Sequence, residues 1–174
     1  MKKLKLILIT LIVASGIFWY SVNFNVISGN SMLPTLENNN VIMSFKHRKN
    51  NVGDIVVFRP PKEWNKKDVL YIKRIIAKSG DEIKIENDKL YVNNVFLKDI
   101  SSWYKTKTKV KFKIEDGFFF LLGDNTAESA DSLYYMLNDN FRSNFLVPEK
   151  NIVSSIKLDS KDKDVDKYVK MYNK

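Results

Sequence analysis

A serine on a short turn is the first residue in this sequence that could act as a nucleophile. Residues 28–35 read Ser-Gly-Asn-Ser-Met-Leu-Pro-Thr, with Gly29 before Ser31 and Pro34 after it. Glycine and proline favour tight turns, and a turn can present the Ser31 hydroxyl to a substrate. The same residue types also form turns for purely local reasons. The chemistry of Ser31 therefore depends on a second group that can remove its proton.

Histidine is the usual partner of a nucleophilic serine, and this chain contains only one. His47 stands among Lys46, Arg48 and Lys49, whose positive charges oppose its protonation, in a segment typical of an exposed loop. We therefore do not expect His47 to act in catalysis. The chain has no cysteine and no tight carboxylate cluster, so we expect no disulfide, no thiolate nucleophile, no metal and no other cofactor.

A lysine can replace histidine as the base if burial lowers the pKa of its amine. With an ordinary pKa of about 10.4, about one amine in two thousand is unprotonated at neutral pH. Residues 71–77 read Tyr-Ile-Lys-Arg-Ile-Ile-Ala, and strand alternation places Lys73 on an apolar face and Arg74 on the other. Alternatively, Lys73 is one of the polar, solvent-facing residues of an alternating edge strand. Spacing alone leaves these two interpretations equal.

A polar segment at residues 123–132 follows the apolar run of residues 118–122. Taken alone, the segment predicts a polar loop with capping residues. In its functional interpretation, a hydroxyl from this loop orients the lysine and a carboxylate binds the neighbouring arginine. Without further context the plain loop is the favoured interpretation.

The N-terminal segment is apolar and long enough to cross a bilayer. Residues 6–22 carry no charge and would form a helix about 26 Å long. Trp19 and Tyr20 close the run as interfacial residues do, and no obvious cleavage site follows, which favours an uncleaved anchor over a removed signal peptide. A cytoplasmic N-terminus and an exported remainder follow from the basic residues before the run, Lys2, Lys3 and Lys5.

The remainder of the chain predicts short strands separated by turns, and hence a mainly β fold. The predicted strands are residues 41–45, 55–58, 69–77, 83–85, 90–92, 110–114 and 118–122. A short amphipathic helix is predicted after Asp162. We assign residues 1–24 to a cytoplasmic stub and transmembrane anchor and residues 25–174 to one extracytoplasmic domain, with a hairpin region at about 81–116 as a cap subdomain.

The net charge of +9 arises mostly from lysine, since only four of the 29 basic residues are arginine. Nucleic-acid recognition favours a basic patch with arginine forks or interleaved aromatic residues, whereas these lysines are scattered. We therefore expect no nucleic-acid partner.

Taken together and in order, these segments resemble the bacterial type I signal peptidases, membrane-anchored Ser-Lys dyad proteases of peptidase family S26. The matching motifs are residues 29–35, residues 53–58, residues 71–76 with Gly80 and Asp81, and residues 123–125 with Ser129, Asp131 and Ser132. Each motif alone is weak, but four in order behind one anchor are specific. The resemblance therefore favours the buried position for Lys73.

The resemblance implies a signal-peptidase-like all-β catalytic core behind one transmembrane helix. It implies an endopeptidase that removes signal peptides from exported preproteins, with Ser31 as nucleophile, Lys73 as general base and Ser129 orienting the lysine. The backbone N–H of Ser31 would form the oxyanion hole. Further positions implied to support the dyad are Gly29, Arg74 paired with Asp124, and Asp131, and those implied to contact substrate are Met32 and Ile72.

The last motif departs from the family pattern, because Leu133 stands where arginine usually follows the Asp-Ser pair. Asp131 thereby loses its expected partner, which predicts a divergent member with a narrow substrate range. Two alternatives remain open: a specialised Ser-Lys processing peptidase for pilus or conjugation substrates, and a non-catalytic membrane-tethered relative. For the favoured interpretation we expect a monomer in the cell membrane of a bacterium, of the Gram-positive type, in contact with exported preproteins and membrane lipid.

Overall fold

The N-terminal helix is the part of the fold that can cross a membrane. The computed structural model describes residues 2–106, 109–138 and 144–174, and it begins with helix α1, Lys2–Ser21. Among the described residues this is the one helix long and apolar enough to span a bilayer, and none of its side chains is buried in the protein. The apolar run predicted for the membrane segment includes Val22. In the structure the helix ends at Ser21, and Val22 is the buried first residue of a strand.

Two antiparallel β-sheets follow the helix, so the predicted mainly β fold is confirmed. The strands are β1 Val22–Val26, β2 Val41–Phe45, β3 Ile55–Phe58, β4 Tyr71–Lys78, β5 Glu82–Glu86, β6 Lys89–Val92, β7 Val95–Asp99, β8 Val110–Lys113, β9 Phe118–Leu122, β10 Val147–Pro148 and β11 Ile152–Ile156. The larger sheet has the order β1-β2-β11-β3-β4-β9-β10, and the smaller has the order β7-β6-β5-β8. Two further helices are α2, Ser132–Leu137, and α3, Lys163–Tyr172.

The centre of the larger sheet is buried on both faces. Every residue of β3 is buried, and so are five consecutive residues of β4. In sequence, a strand that is buried on both faces is usually a continuous run of apolar residues, without polar and apolar residues in alternation. This explains why residues 55–58 and 118–122 predict their strands well.

The smaller sheet occupies the predicted cap region at about 81–116. In its strand β5 the buried residues Ile83 and Ile85 alternate with partly buried ones. Asn87 and Asp88 form the turn between β5 and β6, and both have positive φ angles, which asparagine and aspartate tolerate better than most residues. The division of the chain into an anchor, a catalytic domain and a cap stays a prediction.

Two apolar cores lie on either side of the larger sheet. The main core joins both sheets to α2 and α3, with Phe58, Ile76 and Phe120 completely buried. The second core is small and contains Ile27, Met32, Leu36, Ile42, Ile55 and Val57. This core holds the segment that carries Ser31, because Met32 and Leu36 follow Ser31 closely in the chain and are buried in the core.

Candidate active site

Lys73 lies on a central strand of the larger sheet. Strand β4 pairs with β3 on one side, where Lys73 is opposite Val56, and with β9 on the other. The interpretation of Lys73 as a solvent-facing residue of an edge strand is therefore wrong. Its side chain is 5% exposed, whereas a lysine on an edge strand would extend into water.

Ser31 lies on a tight turn that the sequence predicts through its glycine and proline. The turn is closed by hydrogen bonds from Leu33 N–H to Asn30 O, 3.0 Å, and from Leu36 N–H to Met32 O, 2.9 Å. Gly29 enters the turn with a φ of 94°, a left-handed conformation that favours glycine, and its N–H donates to Asn38 Oδ1 at 2.9 Å.

The polar segment after β9 fixes the position of this turn. Asn125 N–H donates to Ser31 O at 3.0 Å, and Asn125 Nδ2 donates to Asn30 O at 3.1 Å. Asn30 Nδ2 in turn donates to Glu128 Oε2 at 3.1 Å. The sequence places Asn125 in a motif but gives no sign that it holds the serine turn, because these contacts join residues about 95 positions apart.

The amine of Lys73 and the hydroxyl of Ser31 are in direct contact. Lys73 Nζ lies 2.7 Å from Ser31 Oγ and donates a second hydrogen bond to Ile72 O at 2.9 Å. Burial lowers the pKa of Lys73 to about 8, against the smaller opposing effects of the Asp131 and Asp124 charges. At pH 7 about one amine in ten is then unprotonated, so the pair can exchange a proton near neutral pH.

Arg74 points away from Lys73 and forms a buried ion pair with Asp124. Arg74 Nε and Nη2 donate to the two Asp124 oxygens at 2.9 and 2.8 Å, and both side chains are 1% exposed. Arg74 Nη1 donates to the carbonyl oxygens of Gly53 and Leu158, each at 2.6 Å. The Thr35 hydroxyl also donates to Asp124. The pair thus joins β4, the end of β9 and the chain after the serine turn.

Asp131 is held by backbone N–H groups in place of the arginine that the family pattern leads one to expect. Its carboxylate accepts from Gly123 N–H at 2.9 Å and caps helix α2 by accepting from Leu133 N–H and Tyr134 N–H at 3.1 and 3.2 Å. Burial raises the pKa of Asp131. Leu133 turns its side chain into the main core at 1% exposure. The altered loop is therefore ordered by a helix cap, which the sequence does not reveal.

Ser129 lies beside the dyad without the predicted hydrogen bond to the lysine. Its buried hydroxyl lies beside the Asp131 carboxylate, whose charged form it favours, and makes no hydrogen bond to the Lys73 amine. A Cβ atom built on Gly123 would overlap Ser129 Oγ and Ser31 O, so both groups contact the glycine directly. The role of Ser129 in orienting the amine stays a prediction.

Replacement of Gly123 by alanine is expected to displace the Ser31 turn. The new methyl group would overlap backbone on one side and Ser129 on the other, and a shift of about 1 Å at a reacting group lowers a rate roughly 100-fold. Activity assays on Gly123→Ala should show this loss in kcat/KM. Gly16→Ala is the matched control, since nothing lies within 4 Å of its Cβ position. Unchanged kcat/KM in Gly123→Ala would contradict the close packing of the turn.

A cleft of about 720 Å³ opens in front of the dyad. Its lining includes Ser31, Lys73 and Ile72, together with apolar side chains from β1 and from the segment before β4, Phe24, Val26, Val69 and Leu70. Ile72 thus lies where a pocket wall was predicted. Met32 does not line this cleft, because its side chain points into the small core at 1% exposure. The direction of the Met32 side chain was not predicted, because side chains on a turn do not point to opposite sides in alternation as they do on a strand.

His47 lies away from the cleft, on the exposed turn after β2, where its ring stacks on Tyr20 with a centroid separation of 5.8 Å. Across the described ranges no three His, Cys, Asp or Glu side chains come together as a metal site would require.

Comparison with known proteins gives consistent matches. Residues 1–159 match the family described as signal peptidase, peptidase S26. Signal peptidase I S of Bacillus subtilis (strain 168) is 37% identical over 123 residues, 68% of this chain and 61% of that protein. Signal peptidase I of Streptococcus pneumoniae (strain TIGR4) is 34% identical over 156 residues, 83% of this chain and 72% of that protein.

Among solved structures, a signal peptidase I from Enterococcus faecalis V583 matches with a TM-score of 0.44 at 20% identity, covering 63% of this chain and 97% of that one. The aligned region spans about three fifths of the length of the Bacillus relative and nearly three quarters of the Streptococcus relative.

Proposed function

Because the chain belongs to the signal peptidase S26 family, we propose that it is a serine endopeptidase that removes N-terminal signal peptides from exported preproteins. The observation that carries this proposal is the 2.7 Å contact between Lys73 Nζ and Ser31 Oγ, with the amine buried and its pKa lowered to about 8. A serine needs a base within hydrogen-bond reach whose pKa lies near the working pH, and the Lys73 amine meets both conditions.

In the proposed reaction the neutral Lys73 amine accepts the Ser31 proton as Ser31 Oγ attacks the scissile carbonyl carbon. The lysine ammonium then gives that proton to the leaving amine as the C–N bond breaks, which leaves an acyl ester on Ser31. A water molecule, deprotonated by the same amine, attacks the ester and releases the signal peptide with a free carboxylate. Ser31 recovers its proton from Lys73, so both groups return to their starting states.

The negative oxygen that forms during each attack would be stabilised by the backbone N–H of Ser31. This N–H donates to no other group within the described residues, whereas the Ser31 carbonyl already accepts from Asn125 N–H. Gly29 offers no hydroxyl two residues before the nucleophile, so the donors at this site would be backbone groups alone. Asn125 Nδ2 donates to Asn30 O, the carbonyl oxygen of the same peptide unit as the Ser31 N–H, and this contact favours a fixed orientation of that N–H.

We further propose that α1 is a single-pass anchor with its N-terminus in the cytoplasm of a Gram-positive cell. Lys2, Lys3 and Lys5 precede the apolar segment, and cytoplasmic flanks of membrane helices are enriched in such residues. The apolar residues Phe24 and Val26 follow the helix directly and line the cleft. A signal peptide leaving the bilayer would therefore reach Ser31 without crossing far into water.

The proposed function is tested by incubating the purified full chain, in detergent, with a preprotein that carries its signal peptide. We expect one cut between the signal peptide and the mature protein, located by mass spectrometry, and no cut with Ser31→Ala. Ser101→Ala, an exposed serine on the turn after β7, is the matched control and should retain activity. Processing by Ser31→Ala at the wild-type rate would exclude the proposed nucleophile. Absence of processing by the wild-type chain on a panel of preproteins would favour a specialised or non-catalytic relative.

The rate of processing is expected to rise with pH as the Lys73 amine loses its proton. The free enzyme should show a kcat/KM that increases about tenfold for each pH unit below pH 8 and levels off above it, because only the neutral amine can act as base. A pH–rate profile between pH 6 and 10, with thermal unfolding measured at each pH, separates this from loss of folding. A midpoint near pH 10.5 would contradict the burial of Lys73.

A further inference from the structure

A small cavity beside the end of α1 is separate from the catalytic cleft. Its volume is about 210 Å³, and its lining includes Lys46, Arg48, Asn50, Glu149 and Ser155. The combination of cations, an amide, a carboxylate and a hydroxyl is unlike the apolar lining of the cleft. Neither Ser31 nor Lys73 lines it, and the proposed peptidase reaction makes no use of these residues.

Contacts with α1 place this cavity at the membrane end of the domain. Lys46 N–H donates to Ser21 O, the last carbonyl of the helix, at 2.8 Å. Lys46 Nζ lies 5.7 Å from the centre of the Tyr20 ring, which also stacks on His47. Tyrosine and tryptophan at the end of a membrane helix lie at the level of the lipid headgroups. A cavity held against Tyr20 and Ser21 is therefore at that level.

The cavity contains polar groups that the protein leaves without partners. Ser155 is 1% exposed, and its hydroxyl oxygen makes no hydrogen bond to any described residue; the same holds for Asn50 Oδ1. Ser155 and Phe45 are opposite each other in the sheet and so share the face that borders the cavity. By contrast, the neighbouring Ser154 hydroxyl is 2.8 Å from Ser44 Oγ. Buried polar groups without partners are rare, so these two groups favour a polar ligand that hydrogen-bonds to them.

The charges indicate what kind of ligand this is. Arg48 is neutralised by Asp54, 3.0 Å away, whereas Lys46 has no carboxylate partner in the described ranges. An anionic group therefore fits at Lys46. The buried Asn50 Oδ1 and the exposed Glu149 carboxylate are hydrogen-bond acceptors, and they favour a ligand that also donates hydrogen bonds.

We propose that this cavity binds the headgroup of an anionic phospholipid of the phosphatidylglycerol type. The phosphodiester lies at Lys46 and Ser155, and the glycerol hydroxyls donate to Asn50 and Glu149. A bound headgroup would restrict the height and rotation of the domain above the bilayer, because Lys46 contacts both Tyr20 and Ser21 at the end of α1.

Native mass spectrometry of the full chain in neutral detergent with added phosphatidylglycerol tests the proposal. Wild type is expected to retain one phosphatidylglycerol molecule, and Lys46→Gln to retain it at least about fivefold more weakly. Ser155→Ala should also weaken retention without lowering the temperature of unfolding, since it removes a hydroxyl that has no partner in the protein. Lys49→Gln is the matched control: this exposed lysine in the same segment does not line the cavity.

Equal weakening by Lys46→Gln and Lys49→Gln would reduce the effect to general attraction between a basic segment and anionic lipid, and would overturn the proposal. Two competitors identify the source of the bound group. Excess inorganic phosphate and phosphatidylcholine should fail to displace phosphatidylglycerol. Displacement by phosphate would instead show a site for the free anion, and displacement by phosphatidylcholine would show that the glycerol hydroxyls are not recognised. Either result would overturn the proposal.

Discussion

Lys73→Met is expected to abolish processing while it makes the fold more stable. Loss of a general base lowers a rate by about 10²- to 10⁴-fold, and loss of the base for a serine nucleophile lies at the upper end of that range. The gain in stability follows from burial. A pKa lowered from 10.5 to about 8 corresponds to a cost of roughly 3 kcal/mol for keeping the charged amine in the fold.

The size of this gain in stability depends on pH. Below pH 8 the Lys73 amine is charged in both the folded and the unfolded chain, so the full cost of burying it is present. Between pH 8 and 10.5 the folded chain loses the proton first, the unfolded chain binds more protons, and the wild type becomes more stable as the pH rises. The excess stability of Lys73→Met should therefore be largest at neutral pH and shrink toward pH 10.5.

Thermal unfolding in detergent, with processing assays on the same samples, measures both effects. We expect the unfolding temperature of Lys73→Met to rise by roughly 5–10 °C at pH 7. Lys98→Met provides a contrasting control, because Lys98 is also buried but pairs with Asp162 and Thr126, and its loss should lower stability. If both variants were destabilised alike, Lys73 would be a structural lysine with an ordinary pKa.

Arg74→Lys is expected to destabilise the domain severely although the charge is kept. Arginine makes two parallel bonds to Asp124 and two to the carbonyl oxygens of Gly53 and Leu158. A lysine ammonium can reproduce neither the fork geometry nor all four bonds, so buried acceptors lose their donors. Breaking a buried pair of this kind costs about 3–5 kcal/mol. Because the pair also holds the end of β9, the dyad should lose its alignment.

Chemical unfolding of Arg74→Lys and wild type gives the free-energy difference directly. Arg59→Lys is the matched control, since Arg59 and Asp68 form an exposed pair with nitrogen and oxygen 3.8 Å apart, and the change should be within about 0.5 kcal/mol of wild type. A similarly small effect at Arg74 would show that the buried fork does not stabilise the fold. Asp124→Asn should weaken the same contacts from the other side.

The strands that the sequence predicts are those whose signal is local. Residues 41–45, 55–58 and 118–122 coincide with β2, β3 and β9, because continuous or alternating apolar residues with turn formers at their ends determine these strands. Strand β1 was missed, since Val22 continues the apolar run of the helix and nothing in the sequence separates them. Strands β10 and β11 were also missed, because they are short or contain serines that are buried only in the sheet.

The sequence by itself determined which groups are available and in what order: one serine turn, no credible histidine, a lysine within an apolar segment, and before them an apolar run long enough to span a bilayer. The tertiary structure decided that Lys73 lies inside the sheet within 2.7 Å of Ser31, that Asp131 caps α2 where an arginine is missing, and that Met32 faces the core. The reason is physical. Turn and strand preferences act over a few residues, whereas the distance between residues 42 positions apart and the burial that sets a pKa depend on strand order and register.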